Sequence, residues 1–163
     1  MRFDIITIFP EILSSYLDET ILARAKSLGL IEIHTHTPRD FATDAHKSID
    51  DRPYSGGAGM VMMFYPIAQT IEKIKKQTPD LKRKILLMTP TGEKFSQKNA
   101  KAYAEELDQI IFICGRYEGV DARLEEIIDE KVSIGNYVLA GGELPALVIT
   151  ETVSRLIPGV LGK

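Results

Sequence analysis

Three short segments carry the residue types and spacing that could do chemistry. They are 89–92 (Thr89, Pro90, Thr91, Gly92), 115–119 (Gly115, Arg116, Tyr117, Glu118, Gly119) and 133–142, which ends in Gly141 and Gly142. Each follows an apolar run that reads as a strand, so each should emerge at the carboxyl edge of a sheet, where open α/β sheets bind ligands. Glycines at such an edge let backbone N–H and C=O groups come close to a ligand. Ile134, Val138 and Leu139 would add an apolar slot beside them. The chemistry that fits is capture of a small, partly apolar molecule by main chain. The same glycines would equally suit a chain that only has to close tight turns and helix ends.

Other signatures are missing or weak. No G-x-G-x-x-G follows the first strand and no G-x-x-x-x-G-K-[ST] occurs, so a dinucleotide fold or a P-loop is unsupported. The absence of G-x-S-x-G argues against a hydrolase nucleophile elbow. His34 and His36 share a strand face but have no ligand-spaced third partner, so packing or surface histidines are favoured over a metal site. Cys114 ends an apolar run and reads as a small buried hydrophobe rather than a nucleophile. Lys73, Lys75, Lys76, Lys82, Arg83 and Lys84 form one basic run, interrupted by Asp80, that reads as a solvated helix end.

The elements that must position these segments follow from apolar spacing. Strands are expected at 3–8, 31–34, 85–88 and 110–114, with a further short one within 132–139. Ile12, Leu13, Tyr16, Leu17, Ile21, Leu22, Ala25 and Leu28 recur at the helical period, between Pro10 and Gly29. Further helices are expected at 66–77, 96–107, from 121 onward, and at 145–157. This alternation predicts an α/β fold with a mainly parallel sheet and helices on both faces. One stretch, 37–60, has little periodicity. A structureless run of that length is either a binding loop or lid, or a surface excursion.

Composition bounds the class. The chain has 163 residues, 44% of them hydrophobic and 26% charged, with a net charge of −3. That is a single globular domain without the overall basicity of a nucleic-acid binder, so any such contact must be local. No apolar run approaches the ~18 residues of a membrane helix. The single cysteine cannot form an internal disulfide, and the expected setting is cytoplasmic.

Longer motifs carry a specific resemblance. They are Ile8-Phe9-Pro10-Glu11; Pro38-Arg39-Asp40-Phe41; Asp50-Asp51-Arg52-Pro53-Tyr54 with Gly56-Gly57-Ala58-Gly59-Met60; and Pro90-Thr91-Gly92. Further on come Cys114-Gly115-Arg116-Tyr117-Glu118-Gly119, Ser133-Ile134-Gly135-Asn136-Tyr137-Val138-Leu139 and Gly141-Gly142-Glu143-Leu144-Pro145. The last is Ser154-Arg155-Leu156-Ile157-Pro158-Gly159-Val160-Leu161-Gly162. Together, and in this order, they closely resemble the bacterial tRNA (guanine-N1)-methyltransferase family, TrmD, over nearly the whole chain.

The resemblance implies a SPOUT-type fold with a deep trefoil knot near the C-terminal end, working as a homodimer. It implies transfer of the methyl group of S-adenosylmethionine to N1 of the guanosine immediately 3′ of the tRNA anticodon (position 37). Matched motif by motif, the cofactor contacts would be Leu87, Met88, Thr89, Pro90, Gly115, Tyr117, Ser133, Ile134, Gly135, Tyr137, Leu139, Gly141, Gly142 and Pro145. The guanine and tRNA loop would use His46, Asp50, Arg52, Tyr54 and Gly59. Arg155 matches the arginine that stabilises charge on O6. Glu118 matches a glutamate near the reaction centre, where the family's Mg²⁺ dependence is focused.

Methylation at N1 also needs a base, because that nitrogen carries a proton at neutral pH. The family's base is an aspartate several residues beyond Pro158-Gly159-Val160-Leu161-Gly162, whereas this sequence ends at Lys163. Residues 1–163 are therefore expected to be the catalytic domain without the family's carboxy-terminal helical tRNA-binding domain. Cofactor binding and dimerisation are expected, with methyl transfer weak or absent; the alternative is a dimeric S-adenosylmethionine-binding module that does not catalyse as it stands. Ser55 and Asn136 depart from the family's commoner glycine and aspartate.

Overall fold

The computed structural model describes residues 1–52, 56 and 59–162. Strand β1 (Arg2–Ile6) leads through α1 (Glu11–Leu17) and α2 (Thr20–Ser27) to β2 (Glu32–His36). A 3-10 turn at Pro38–Phe41 follows, then two short strands, β3 (Asp50–Asp51) and β4 (Val61–Met62), paired antiparallel. Next come α3 (Phe64–Gln77), β5 (Arg83–Lys94), α4 (Gln97–Glu106) and β6 (Gln109–Cys114). A 3-10 turn at Ala122–Glu126, β7 (Glu130–Ser133) and α5 (Glu143–Ser154) complete the chain.

The main sheet has the order β2-β1-β6-β5-β7, and every pairing in it is parallel. Alternate side chains of a strand point to opposite faces, and the two halves of the core follow that rule. Phe3, Ile5, Leu86, Met88, Ile110, Phe112 and Cys114 pack on one face under α1, α2, α4 and α5. Ile85, Leu87, Ile111 and Ile113 pack on the other with Ile67, Ile71 and Ile74 of α3. Burial on both faces is why these strands read as continuous apolar runs.

Several expectations are refined. The helical run after Pro10 is two helices, because Leu17 and Leu22 both pack into the core. Five residues advance a helix by roughly 500°, which would turn Leu22 about 140° away from Leu17. A break at Asp18–Glu19, with Thr20 at φ 54°, restores the phase. The element after Asp121 is a 3-10 turn, and the last strand lies at Glu130–Ser133 rather than further on. The 89–92 turn interrupts a longer strand: Met88 and Glu93 both pair with Val132, and the four residues between them leave the ladder.

The buried carboxylate of β1 is paired, whereas the buried hydroxyls of Thr150 and Ser154 on α5 have no hydrogen-bond partner among the described residues. Asp4, fully buried on β1, accepts hydrogen bonds from Arg2 (2.8 Å) and Gln109 (2.7 Å) and lies 2.7 Å from His36 Nε2. Burial alone would push its carboxyl up, but the bonds from His36, Arg2 and Gln109 outweigh that and hold it well below the usual carboxylate range. His34 and His36 thus each lie beside a carboxylate, since His34 is 3.3 Å from Glu32. Cys114 is fully buried, and burial, reinforced by Glu143, pushes its thiol up, as an inert core residue requires. The basic run is dispersed: Lys75 pairs with Glu72, Lys84 with Glu130, and Lys73 lies over the Phe41 ring.

Candidate functional site

The carboxyl ends of β5, β6 and β7 deliver the 89–92, 115–119 and 133–142 segments to one place. They enclose a cavity of roughly 380 Å³, within the usual size of a small-molecule site. All fourteen residues matched to cofactor contacts line it, from Leu87 on β5 to Pro145 in the first turn of α5. Glu118 lines it as well. Apolar side chains (Leu87, Ile134, Leu139, Pro145) alternate there with backbone from Gly115, Gly135, Gly141 and Gly142.

Local geometry explains how the loops hold their shape. The Gly142 N–H donates to the Gly115 carbonyl at 3.0 Å, joining the third segment to the second. The Ser133 hydroxyl donates to the Gly135 carbonyl at 2.9 Å, closing the turn after β7. Tyr117 has φ 59°, a left-handed conformation that a bulky residue adopts only when its surroundings impose it, and such residues gather at functional sites.

The end of the stretch 37–60 is joined to the 115–119 loop, which lines the cavity, although none of the described residues of the stretch lines it. Glu118 N–H donates to the Met60 carbonyl, Met62 N–H to the Gly119 carbonyl, and Asp121 N–H to the Met62 carbonyl, at 2.9–3.0 Å. At Gly59 the contact is closest, because a Cβ there would lie 2.3 Å from Glu118 Cγ. His46 and Arg52 are exposed and Asp50 is half-buried on β3, none of them in the cavity wall. Tyr54 and Ser55 lie outside the described residues. Arg155 is exposed just past the end of α5 and does not line the cavity.

Two charged residues were not singled out from the sequence as site residues. Arg116 lines the cavity, and Glu143, at 2% exposure, lies behind it. Their signal was a charge set inside each glycine-rich motif, but 27 positions separate them and spacing could not pair them. No group of three or more His, Cys, Asp or Glu able to hold a metal ion occurs among the described residues. No helix among them is long and apolar enough to cross a membrane.

A parallel α/β sheet with a loop-built, partly main-chain cavity at its carboxyl edge defines an α/β ligand-binding domain. Comparison narrows the class. The family model described as tRNA (Guanine-1)-methyltransferase TrmD matches residues 1–163, and the chain belongs to that family. A tRNA (guanine-N(1)-)-methyltransferase of Dictyoglomus turgidum is 47% identical over 162 residues, covering 99% of this chain and 64% of that protein. One from Clostridioides difficile is 47% identical over 164 residues, covering 100% of this chain and 71% of that protein. The chain thus spans less than two thirds of the first of these relatives. The crystal structure of the tRNA (m1G37) methyltransferase from Aquifex aeolicus is similar, with a TM-score of 0.90 and 37% identity. That match covers all of this chain and 72% of the other.

Proposed function

We propose that this domain binds S-adenosylmethionine in the cavity at the ends of β5, β6 and β7, and presents it for transfer to N1 of the guanosine 3′ of a tRNA anticodon. The observation that carries the reading is the convergence of all fourteen matched residues on one cavity. The cavity suits this ligand: apolar walls for the adenine, backbone for its polar edges, and Glu118 as an acid that favours a cation. The cofactor supplies an electrophilic methyl group on a sulfonium. The protein must then orient that group, exclude water and stabilise charge on O6 as the N1 proton leaves.

Glu118 joins the two halves of this task. Its backbone is hydrogen-bonded to Met60, its side chain lies against Gly59, and it faces the cavity. A base held by the 37–60 stretch would therefore sit beside the cofactor, with Gly59, His46, Asp50, Arg52 and Tyr54 as its candidate contacts. Arg155, outside the cavity in a single chain, can meet such a base only through movement or a second copy. A second copy is the better source. Leu144 and Val148 of α5, 60% and 45% exposed, form an apolar face with Tyr16, which supports a homodimer on the side of the molecule that leads to Arg155.

The close passage of Gly141 and Gly142 past β5 and β6 supports the knotted threading, since a Cβ on Gly142 would lie 2.7 Å from Cys114 Cα. A cytoplasmic setting follows from the tRNA substrate. The second reading is a cofactor-binding dimer that does not itself transfer the methyl group. It is favoured by Glu118 being the sole carboxylate among the described residues that line the cavity, with no histidine beside it.

Calorimetric titration with S-adenosylmethionine should show saturable binding, and no binding by the folded chain overturns the cofactor assignment. Methyl incorporation into tRNA bearing guanosine at that position, with and without Mg²⁺, is compared with tRNA bearing adenosine there. Equal labelling of both tRNAs overturns the guanosine assignment, and binding without labelling selects the second reading.

A further inference from the structure

The cavity wall contains a permanent cation beside a site that, on the cofactor reading above, must accept another. Arg116 brings a guanidinium cation into the wall, and its side chain is only 21% exposed. Its Cζ lies 4.9 Å from the centre of the Phe9 ring. S-adenosylmethionine reacts through a sulfonium, so an uncompensated guanidinium in a wall of low dielectric would repel the group the site exists to bind.

Compensation comes from behind. The Glu143 carboxylate accepts from Arg116 Nε at 3.0 and 3.2 Å, and Arg116 Nη2 lies 3.0 Å from Glu143 Oε2. The Thr7 hydroxyl donates to the same carboxylate at 2.7 Å and in turn accepts from the Phe9 N–H at 3.0 Å. Glu143 is the first residue of the twelve-residue helix α5, where the helix dipole favours a negative charge. It is not part of the cavity lining. Three distant stretches of chain, the end of β1, the 115–119 loop and the start of α5, meet at this pair.

We propose that Glu143 is a positioning residue acting through Arg116. It cancels the guanidinium charge and fixes its orientation, so that the cavity accepts a sulfonium-bearing ligand. The proposal rests on the cofactor reading. It predicts discrimination by charge between S-adenosylmethionine and S-adenosylhomocysteine, the neutral thioether left once the methyl group has gone.

The test is calorimetric affinity for both ligands at pH 8, measured on the wild type, Glu143→Gln, Arg116→Gln and the double variant, with folding checked by circular dichroism. Glu143→Gln should weaken S-adenosylmethionine about tenfold more than S-adenosylhomocysteine. Arg116→Gln, which leaves Glu143 held by Thr7 and the helix end, should shift the ratio the opposite way. The double variant should return it towards the wild-type ratio. Equal losses for both ligands in the single variants would make the pair a structural clamp and overturn the proposal, as would shifts in the same direction. Should Glu143→Gln fail to fold, Arg116→Gln decides alone. A wild type that binds neither ligand overturns the cofactor reading itself, whereas binding of both with unshifted ratios overturns only this one.

Discussion

At the scale of single residues, the site depends on side chains that are absent as much as on those present. A Cβ added to Gly141 would lie 2.3 Å from Arg116 Nε and 2.4 Å from Glu143 Oε2, so only glycine lets the chain pass over this ion pair. Gly141→Ala must push the guanidinium aside or shift the backbone of the cavity wall. Overpacking of this kind costs about 1–3 kcal/mol. Urea unfolding should show that loss, and titration with S-adenosylmethionine should show weaker binding; unchanged affinity would mean that the cavity tolerates the displacement. Gly59 makes a comparable demand against Glu118. On the proposed reading, its substitution by alanine should impair methyl transfer more than cofactor binding, because the clash falls on Glu118, which is not among the fourteen matched cofactor contacts and carries the link to the 37–60 stretch. Transfer rates at saturating S-adenosylmethionine, set beside its Kd, measure that difference.

Secondary-structure elements are held in register by what lies between them, and β1 shows this most clearly. Asp4, itself fully buried, links to Arg2 on its own strand, to His36 on β2 and to Gln109 on β6. Removing one partner of a buried ionic group typically costs about 3–5 kcal/mol, and Asp4→Ala should lose stability of that order in urea titrations. The sign of the pH effect follows from the depressed carboxyl. Its contribution is fully present above the ordinary aspartate range, about pH 4, and is lost as the pH falls towards the folded value. Wild-type stability should therefore drop below about pH 4, and Asp4→Ala should flatten that part of the profile. The strands themselves were legible because 85–88 and 110–114 are buried on both faces and cannot be anything but apolar. The break between α1 and α2 was not, since Leu13, Leu17, Leu22 and Ala25 mimic one helix until their phase is checked against the sheet. The cavity-lining positions were legible from motif resemblance, since they fall inside long motifs whose glycines give much of the wall to main chain. The Arg116–Glu143 pair could not, because only the return of the chain past β5 and β6 brings the two together.

On the scale of the whole molecule, the arrangement leaves one face unexplained by a single chain. Glu143, Pro145, Ala146, Ile149 and Val153 of α5 are buried in the domain, yet Leu144 and Val148 on the same helix stand exposed. They line a groove with Tyr16, Ile134, Tyr137 and Leu139, and the last three of these also line the cavity at the carboxyl edge of the sheet. A second copy seated on this groove would therefore cover apolar surface and touch the wall of that cavity at the same time. Arg155, one residue beyond α5, would then stand at the edge of that contact instead of in open solvent. Leu144→Asp with Val148→Asp places two charges where a partner must desolvate them, at the two α5 side chains that stand exposed in the single chain. Such a variant should keep its circular dichroism and sediment as a monomer. Because three groove residues are shared, its affinity for S-adenosylmethionine should fall together with its mass. A variant that remains a dimer would show that another face joins the copies. One that becomes monomeric with full affinity would show that the cavity is complete within one chain, leaving Arg155 to reach the base by movement of α5's end alone.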